Sequence, residues 1–281
     1  MAILLVLLLV AIGSIFWLVR KHLDSANRIV PTSTEQTSEA QDTVEPVTQE
    51  IKPEFDSASL QKSVDDWAAT ISGQASVVLA DKDANILASH NPEQAYFTAS
   101  IYKLYTAYFG YQAVDAKEVD PTEAYVNGHT RAECLDLMIR ESDSPCAEKL
   151  WNELGKQSQT EKLVAIGIKN TSMEGLSTTA EDAAVMLAFI VRGEALTQES
   201  RAAFLQSMKT QIFRDSLNVG FSGDVTVYNK IGFNGRKEYH DTAIVEFADG
   251  RKLIVSVLTE NVGTKAIANL GSLIEKAVKS E

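Results

Sequence analysis

The sequence predicts an α+β domain. One antiparallel five-stranded sheet, assembled from both ends of the chain, packs with helices and carries an inserted all-helical region. Three observations predict it. Two strand-like runs joined by a tight turn stand early in the domain, and three more stand together near the C-terminus. Between them lie about a hundred residues dominated by helical periodicity.

Leu60, Val64, Trp67 and Ile71 recur at helical spacing and predict a first amphipathic helix. "ASVVLA" and "ILASH" flank the turn residues "DKDAN" and predict a β-hairpin. "FTASIYKLYTAYFGYQAV" follows, mostly helical, with Ser100 near its start. The helical middle continues through "RAECLDLMIR", "PCAEKLWNEL" and "TAEDAAVMLAFIVRG". "DVTVYNKIGF", "DTAIVEFA" and "KLIVSVLTE" are the three late strands, joined at Asn234-Gly235 and Asp249-Gly250, both hairpin signals. A last helix places Ile267, Leu270, Ile274 and Ala277 on one face.

The N-terminus is different in kind. Ala2 to Val19 is an eighteen-residue run without a charge, about long enough to cross a bilayer. It lacks a basic leader and a small-residue cleavage site, so residues 1–22 read as an uncleaved transmembrane anchor. Arg20, Lys21 and Arg28 follow the run. The positive-inside rule would keep their side cytoplasmic, against the extracytoplasmic placement argued below. Residues 23–55 are rich in Ser, Thr, Glu and Gln, with Pro31, Pro46 and Pro53, and read as a flexible acidic tether. Residues 56–281 suit one domain.

Of 281 residues, 45% are hydrophobic and the net charge is −12. No basic stripe exists, which argues against a nucleic-acid partner. His22, His90, His129 and His240 are scattered without metal-ligand spacing. Cys134 and Cys146 could form a disulfide or remain two buried thiols.

Two S-x-x-K pairs occur, Ser59/Lys62 and Ser100/Lys103. The spacing puts both side chains on one helix face, but about one chance match is expected in a chain of this length. Ser59 stands at the start of the first helix, beside the tether, where serine is a good cap. Ser100 opens a buried-type helix after a hairpin, where free N–H groups and the positive dipole end suit a developing oxyanion. Ser142-Asp143-Ser144 and Lys230-Ile231-Gly232 follow it in order. Read singly these have plain structural roles: Ser144-Pro145 as N-cap and N1 of a helix, Asp143 as a brace of the turn, Lys230 as a solvated strand residue.

Together the three stretches resemble the signatures of the penicillin-recognising serine enzymes, most closely the class A β-lactamase branch: S-x-x-K, S-D-N, and K-T/S-G on an edge strand. The resemblance covers about residues 56–281. It implies that Ser100 is the nucleophile that becomes acylated and that Lys103 takes its proton. Lysine can do so only when burial or a second cation makes it neutral. Lys230 would supply that positive field and attract an anionic substrate, and Ser142 would relay a proton to the leaving nitrogen. Ser144 and Gly232 fall in the substrate-binding positions, and the oxyanion hole falls on the backbone N–H groups of Ser100 and Phe233. The implied substrate is a β-lactam or a peptidoglycan peptide, met outside the cytoplasm by an anchored monomer. No metal or organic cofactor is implied.

Three departures stand out. Ser144 replaces the usual Asn. Ile231 replaces Thr or Ser and deletes a hydroxyl that in the family helps bind the substrate carboxylate, with Arg236 or Lys237 as candidates to compensate. The family's deacylating glutamate has no counterpart: Glu174 stands only four residues before Thr178, and Glu181 reads as the N3 partner of Thr178 in a capping box. The alternatives are therefore a hydrolase with different water activation, a D,D-peptidase or esterase on the same fold, or a penicillin-binding sensor that acylates without efficient turnover. "GFSGD" is not a G-x-S-x-G elbow, which disfavours an α/β-hydrolase.

Overall fold

A computed structural model of the chain describes residues 54–235 and 237–280. The expected anchor, all of the tether except Glu54 and Phe55, and Arg236 lie outside the described residues. Among the described residues no helix is long and apolar enough to cross a membrane.

Helix α1 (Ser57–Ala68) precedes strands β1 (Gln74–Ala80) and β2 (Ile86–His90). The short strand β3 (Tyr96–Phe97) and a 3-10 turn (Ala99–Ile101) lead into α2 (Tyr102–Asp115). A small hairpin, β4 (Ala124–Val126) and β5 (His129–Thr130), introduces α3 (Arg131–Arg140), α4 (Ser144–Glu153) and α5 (Lys156–Ala165). Strand β6 (Ser177–Thr178), α6 (Ala180–Arg192), α7 (Gln198–Lys209) and α8 (Leu217–Gly220) follow. The chain closes with β7 (Thr226–Phe233), β8 (Glu238–Glu246), β9 (Lys252–Glu260) and α9 (Thr264–Lys279).

The sheet order is β2-β1-β9-β8-β7, every pair antiparallel. Both ends of the chain thus build one sheet, and β7 lies at its edge. Strand alternation divides the core in two. Val77 and Leu79 face α1 and α9 with Leu60, Trp67, Leu270 and Ile274. Val78 and Ala80 face the helical block with Leu104, Met186 and Leu187. Full burial of each large side chain contributes about 1.5–3 kcal/mol, so this layering carries most of the fold. Trp67 Nε1 also donates to Ala266 O at 2.7 Å, tying α1 to α9.

Several boundaries differ from the sequence reading. Phe55, placed there in the tether, is buried, its ring 6.0 Å from that of Phe247. Helix α1 ends at Ala68, before Ile71, and its N-cap is Asp56. Ser59 donates back to that cap at 2.7 Å and Lys62 pairs with Asp66, so the first S-x-x-K is surface structure. The cap of α6 is Thr179, whose hydroxyl accepts from Asp182 N–H. The cap expected at Thr178 is therefore shifted by one residue, and the expected capping box with Glu181 is not formed. Thr178 lies instead in β6, buried and hydrogen-bonded to Tyr105 and Thr171. The cysteines are joined, with Cα atoms 5.1 Å apart.

Candidate active site

The site lies where the start of α2 meets the edge strand β7. Ser100 sits half-buried in the 3-10 turn that precedes α2. Ala99 before it has φ +44°, a left-handed conformation that costs a non-glycine residue about 1–2 kcal/mol. Thr98 N–H donates to Leu176 O at 2.7 Å and Phe97 O meets His240 Nε2 at 2.7 Å, so the turn is pinned on both sides. Gly232 on β7 makes the close approach possible. A Cβ there would stand 2.9 Å from Thr98 O and from Ile101 Cγ1.

The second motif is a loop between two helices joined by the disulfide, Cys134 on α3 and Cys146 on α4. Ser142 has φ +57°. Asp143, not Ser144, caps α4, its carboxylate accepting from Cys146 N–H at 2.8 Å. Ser144 is the first helical residue, and its hydroxyl is left to receive Lys103.

Lys103 and Lys230 are both buried, and both point at Ser142. Lys230 Nζ donates to Ser142 Oγ at 2.9 Å and to Ile231 O at 2.8 Å. Lys103 Nζ donates to Ser142 O at 2.5 Å, to Ser144 Oγ at 3.2 Å and to Ser142 Oγ at 3.3 Å. No hydrogen bond joins Lys103 to Ser100 Oγ; the amine is turned to the loop. Burial brings the Lys103 amine down to about 8, against the pull of Asp143 and Glu148. Burial and the neighbouring Lys103 charge push Lys230 well below the ordinary lysine range, with Asp241 opposing. Two buried amines sharing one hydroxyl cannot cheaply hold two charges, so the cluster can carry a neutral amine near neutral pH. The reading of Lys230 as a solvated strand residue does not hold.

The backbone of β7 adds a second element. Val227 O, Asn229 O and Ile231 O accept from Arg214, Gln211 and Lys230 side chains, so these odd-numbered residues turn their polar groups away from β8. The two-residue period carries Phe233 N–H to that same open edge. Ser100 N–H lies at a helix start, where N–H groups have no partner inside the helix.

Several residues around the site escaped the sequence reading. Asp241 on β8 is fully buried and accepts from Leu217 N–H and Asn229 Nδ2, both at 3.0 Å, and from Ser216. Burial raises its carboxyl to about 6, an effect that Ser216, Asn229, Leu217 N–H and Lys230 limit. His240 accepts from Thr259 N–H at 3.1 Å through Nδ1, so Nε2 carries the proton that meets Phe97 O. Burial lowers its pKa. Both lie in "EYHDTAIVE", and polar residues inside an otherwise apolar strand were the available signal. The sequence expectation starts this strand at Asp241, whereas β8 starts at Glu238.

Other expectations fail or find no support. Lys237, a candidate to compensate for Ile231, is paired with Glu260; Arg236 lies outside the described residues. Glu174 is exposed at the tip of the turn between Ser172 and Ser177, and the Asp182 carboxylate is taken by Asn170 N–H and Thr171 Oγ1. Among the described residues no cluster of His, Cys, Asp or Glu could hold a metal ion.

The model of the β-lactamase enzyme family matches residues 59–278. No curated relative matches the chain in sequence. Among solved structures, PBP-A aligns at 20% identity with a TM-score of 0.72, over 79% of this chain and 96% of its own. A mutant PBP-A held as an acyl-enzyme with penicillin G aligns at 20% identity and a TM-score of 0.72, over 80% and 97%. An ancestral class A β-lactamase aligns at 19% identity and a TM-score of 0.72, over 78% and 99%.

Proposed function

The chain belongs to the β-lactamase enzyme family, and from that premise we propose that it is a serine acyl-transfer enzyme which opens β-lactam rings or related cell-wall D-Ala amides through an acyl-enzyme on Ser100. The observation that carries this reading is the convergence of two buried lysines on Ser142 Oγ, one of them, Lys103, a helical turn along from Ser100. In the reaction, Ser100 Oγ bonds to the carbonyl carbon and the C–N bond breaks. The Ser100 proton passes to a neutral amine of the lysine pair, and the Ser142 hydroxyl delivers a proton to the leaving nitrogen. The N–H groups of Ser100 and Phe233 would hold the oxyanion.

A second reading, acylation without efficient release, is favoured by the position of Glu174. An acid exposed to solvent at a turn tip lacks the enclosure that fixes a hydrolytic water beside an ester. We therefore expect a burst followed by slow turnover. The apolar run Ala2–Val19 supports membrane anchoring with the domain on the extracytoplasmic side, while Arg20, Lys21 and Arg28 oppose that orientation. Protease access to the domain in intact cells and spheroplasts would decide it.

The test incubates the full chain and Ser100→Ala with a fluorescent penicillin and a chromogenic cephalosporin. Stoichiometric labelling that Ser100→Ala abolishes supports the acyl-enzyme, and sustained colour supports the hydrolase. Equal labelling of Ser100→Ala would remove Ser100 as the nucleophile.

A further inference from the structure

We propose that this site selects acyl donors whose group beside the scissile carbonyl is apolar and uncharged; this rests on the acyl-enzyme reading above. Large exposed apolar side chains are uncommon on a soluble domain, and a group of them beside a reactive site marks a binding surface. Here they border the open edge of β7. Phe233 is 46% exposed at its end, its ring braced by Tyr239 at 4.7 Å between centroids. Ile212 and Phe213 are 57% and 41% exposed in the segment that caps the same edge. Gln211 Nε2 binds Asn229 O there at 3.2 Å, and Ile212 N–H binds Arg140 O at 3.0 Å, two residues before Ser142. Ile231 lies between these two ends.

Among the described residues, the cations along this border are committed elsewhere. Arg140 pairs with Asp136 and Glu141, and Lys237 with Glu260. Arg214 donates to Lys209 O, Val227 O and Asn218. Lys103 and Lys230 are buried and spend their hydrogen bonds on the Ser142 loop and on Ile231 O. Among the described residues, an acyl-chain carboxylate laid against Phe233, Ile212 and Phe213 would lose hydration to apolar side chains, which is costly without a paired cation.

A matched pair of esters tests this on the full chain: p-nitrophenyl hexanoate and mono-p-nitrophenyl adipate, which differ in a terminal methyl against a carboxylate. In each, Ser100 Oγ bonds to the carbonyl carbon, p-nitrophenolate leaves with the bonding electrons, and the serine proton goes to a lysine amine. Release is followed by absorbance and the site of acylation by peptide mass. Hexanoate should acylate Ser100 at least about 30-fold faster, and chain length should add roughly three- to four-fold per methylene from acetate upwards. Phe233→Ser and Ile212→Ser should flatten the chain-length series and narrow the hexanoate-to-adipate ratio. Each comparison is a ratio within one protein, so a loss of folded fraction cancels. Equal or faster acylation by adipate, still on Ser100, overturns the inference and leaves the acyl-enzyme intact. Failure of both esters and of fluorescent penicillin to modify Ser100 overturns both.

Discussion

Lys230 Nζ lies 2.9 Å from Ser142 Oγ, although 88 residues separate them in the chain. Lys103 reaches the same oxygen from α2 at 3.3 Å. Ser142 is therefore the joint between the two amines, and its removal should disconnect them. Ser142→Ala is expected to slow acylation by about 10²–10⁴-fold, the usual range for losing a proton-transfer group. Stopped-flow labelling with a fluorescent penicillin measures it; an unchanged rate would exclude the relay.

With burial bringing the Lys103 amine down to about 8, acylation should show a rising limb with pH. The rate should climb about tenfold per unit below that value and level off above it. A profile flat from pH 6 to 9 would show that this amine takes no part.

The same shift has a consequence for stability. From an ordinary value of 10.5 down to about 8, the unfolded chain binds the extra proton and the folded one does not. Stability therefore rises with pH across that window, and the penalty is fully present below pH 8. It is about 3 kcal/mol. Lys103→Met should raise the urea midpoint at pH 7, and the gain should shrink towards pH 10.5.

Gly232 holds β7 against the turn that carries Ser100. In Gly232→Ala, a Cβ 2.9 Å from Thr98 O would push the strand away from Ser100. Overpacking of this kind costs about 1–3 kcal/mol, so acylation should fall roughly 10- to 100-fold with modest loss of melting temperature. A wild-type rate would mean that the strand yields without moving the site.

The Cys134–Cys146 bond closes a short loop around the Ser142 turn. Replacing both by serine should cost about 2–3 kcal/mol, or roughly 4–12 °C of melting temperature for a domain of this size. Acylation should slow as well, because Ser142 sits inside that loop. Calorimetry with and without reductant, beside the labelling rate, checks both.

The sequence by itself determined the layout and the identity of the motif residues. Two-residue alternation in "ASVVLA" and "KLIVSVLTE", the turns at Asn234-Gly235 and Asp249-Gly250, and the helical spacing of Ile267, Leu270 and Ile274 are local signals, and local periodicity suffices to read them. Motif order and position also separated Ser100 from Ser59. Cap positions slipped by one residue at Thr179 and Asp143, because adjacent Thr-Thr and Asp-Ser pairs offer two equally good caps and only backbone angles choose between them. Tertiary structure alone decided which groups share a hydrogen bond. Burial of Lys103, Lys230 and Asp241, the pairing of Cys134 with Cys146 and the turn of the Lys103 amine towards Ser142 all depend on distances between segments far apart in the chain. Desolvation and Coulomb energies follow those distances, so the chemistry of the site is set by packing that no single stretch encodes.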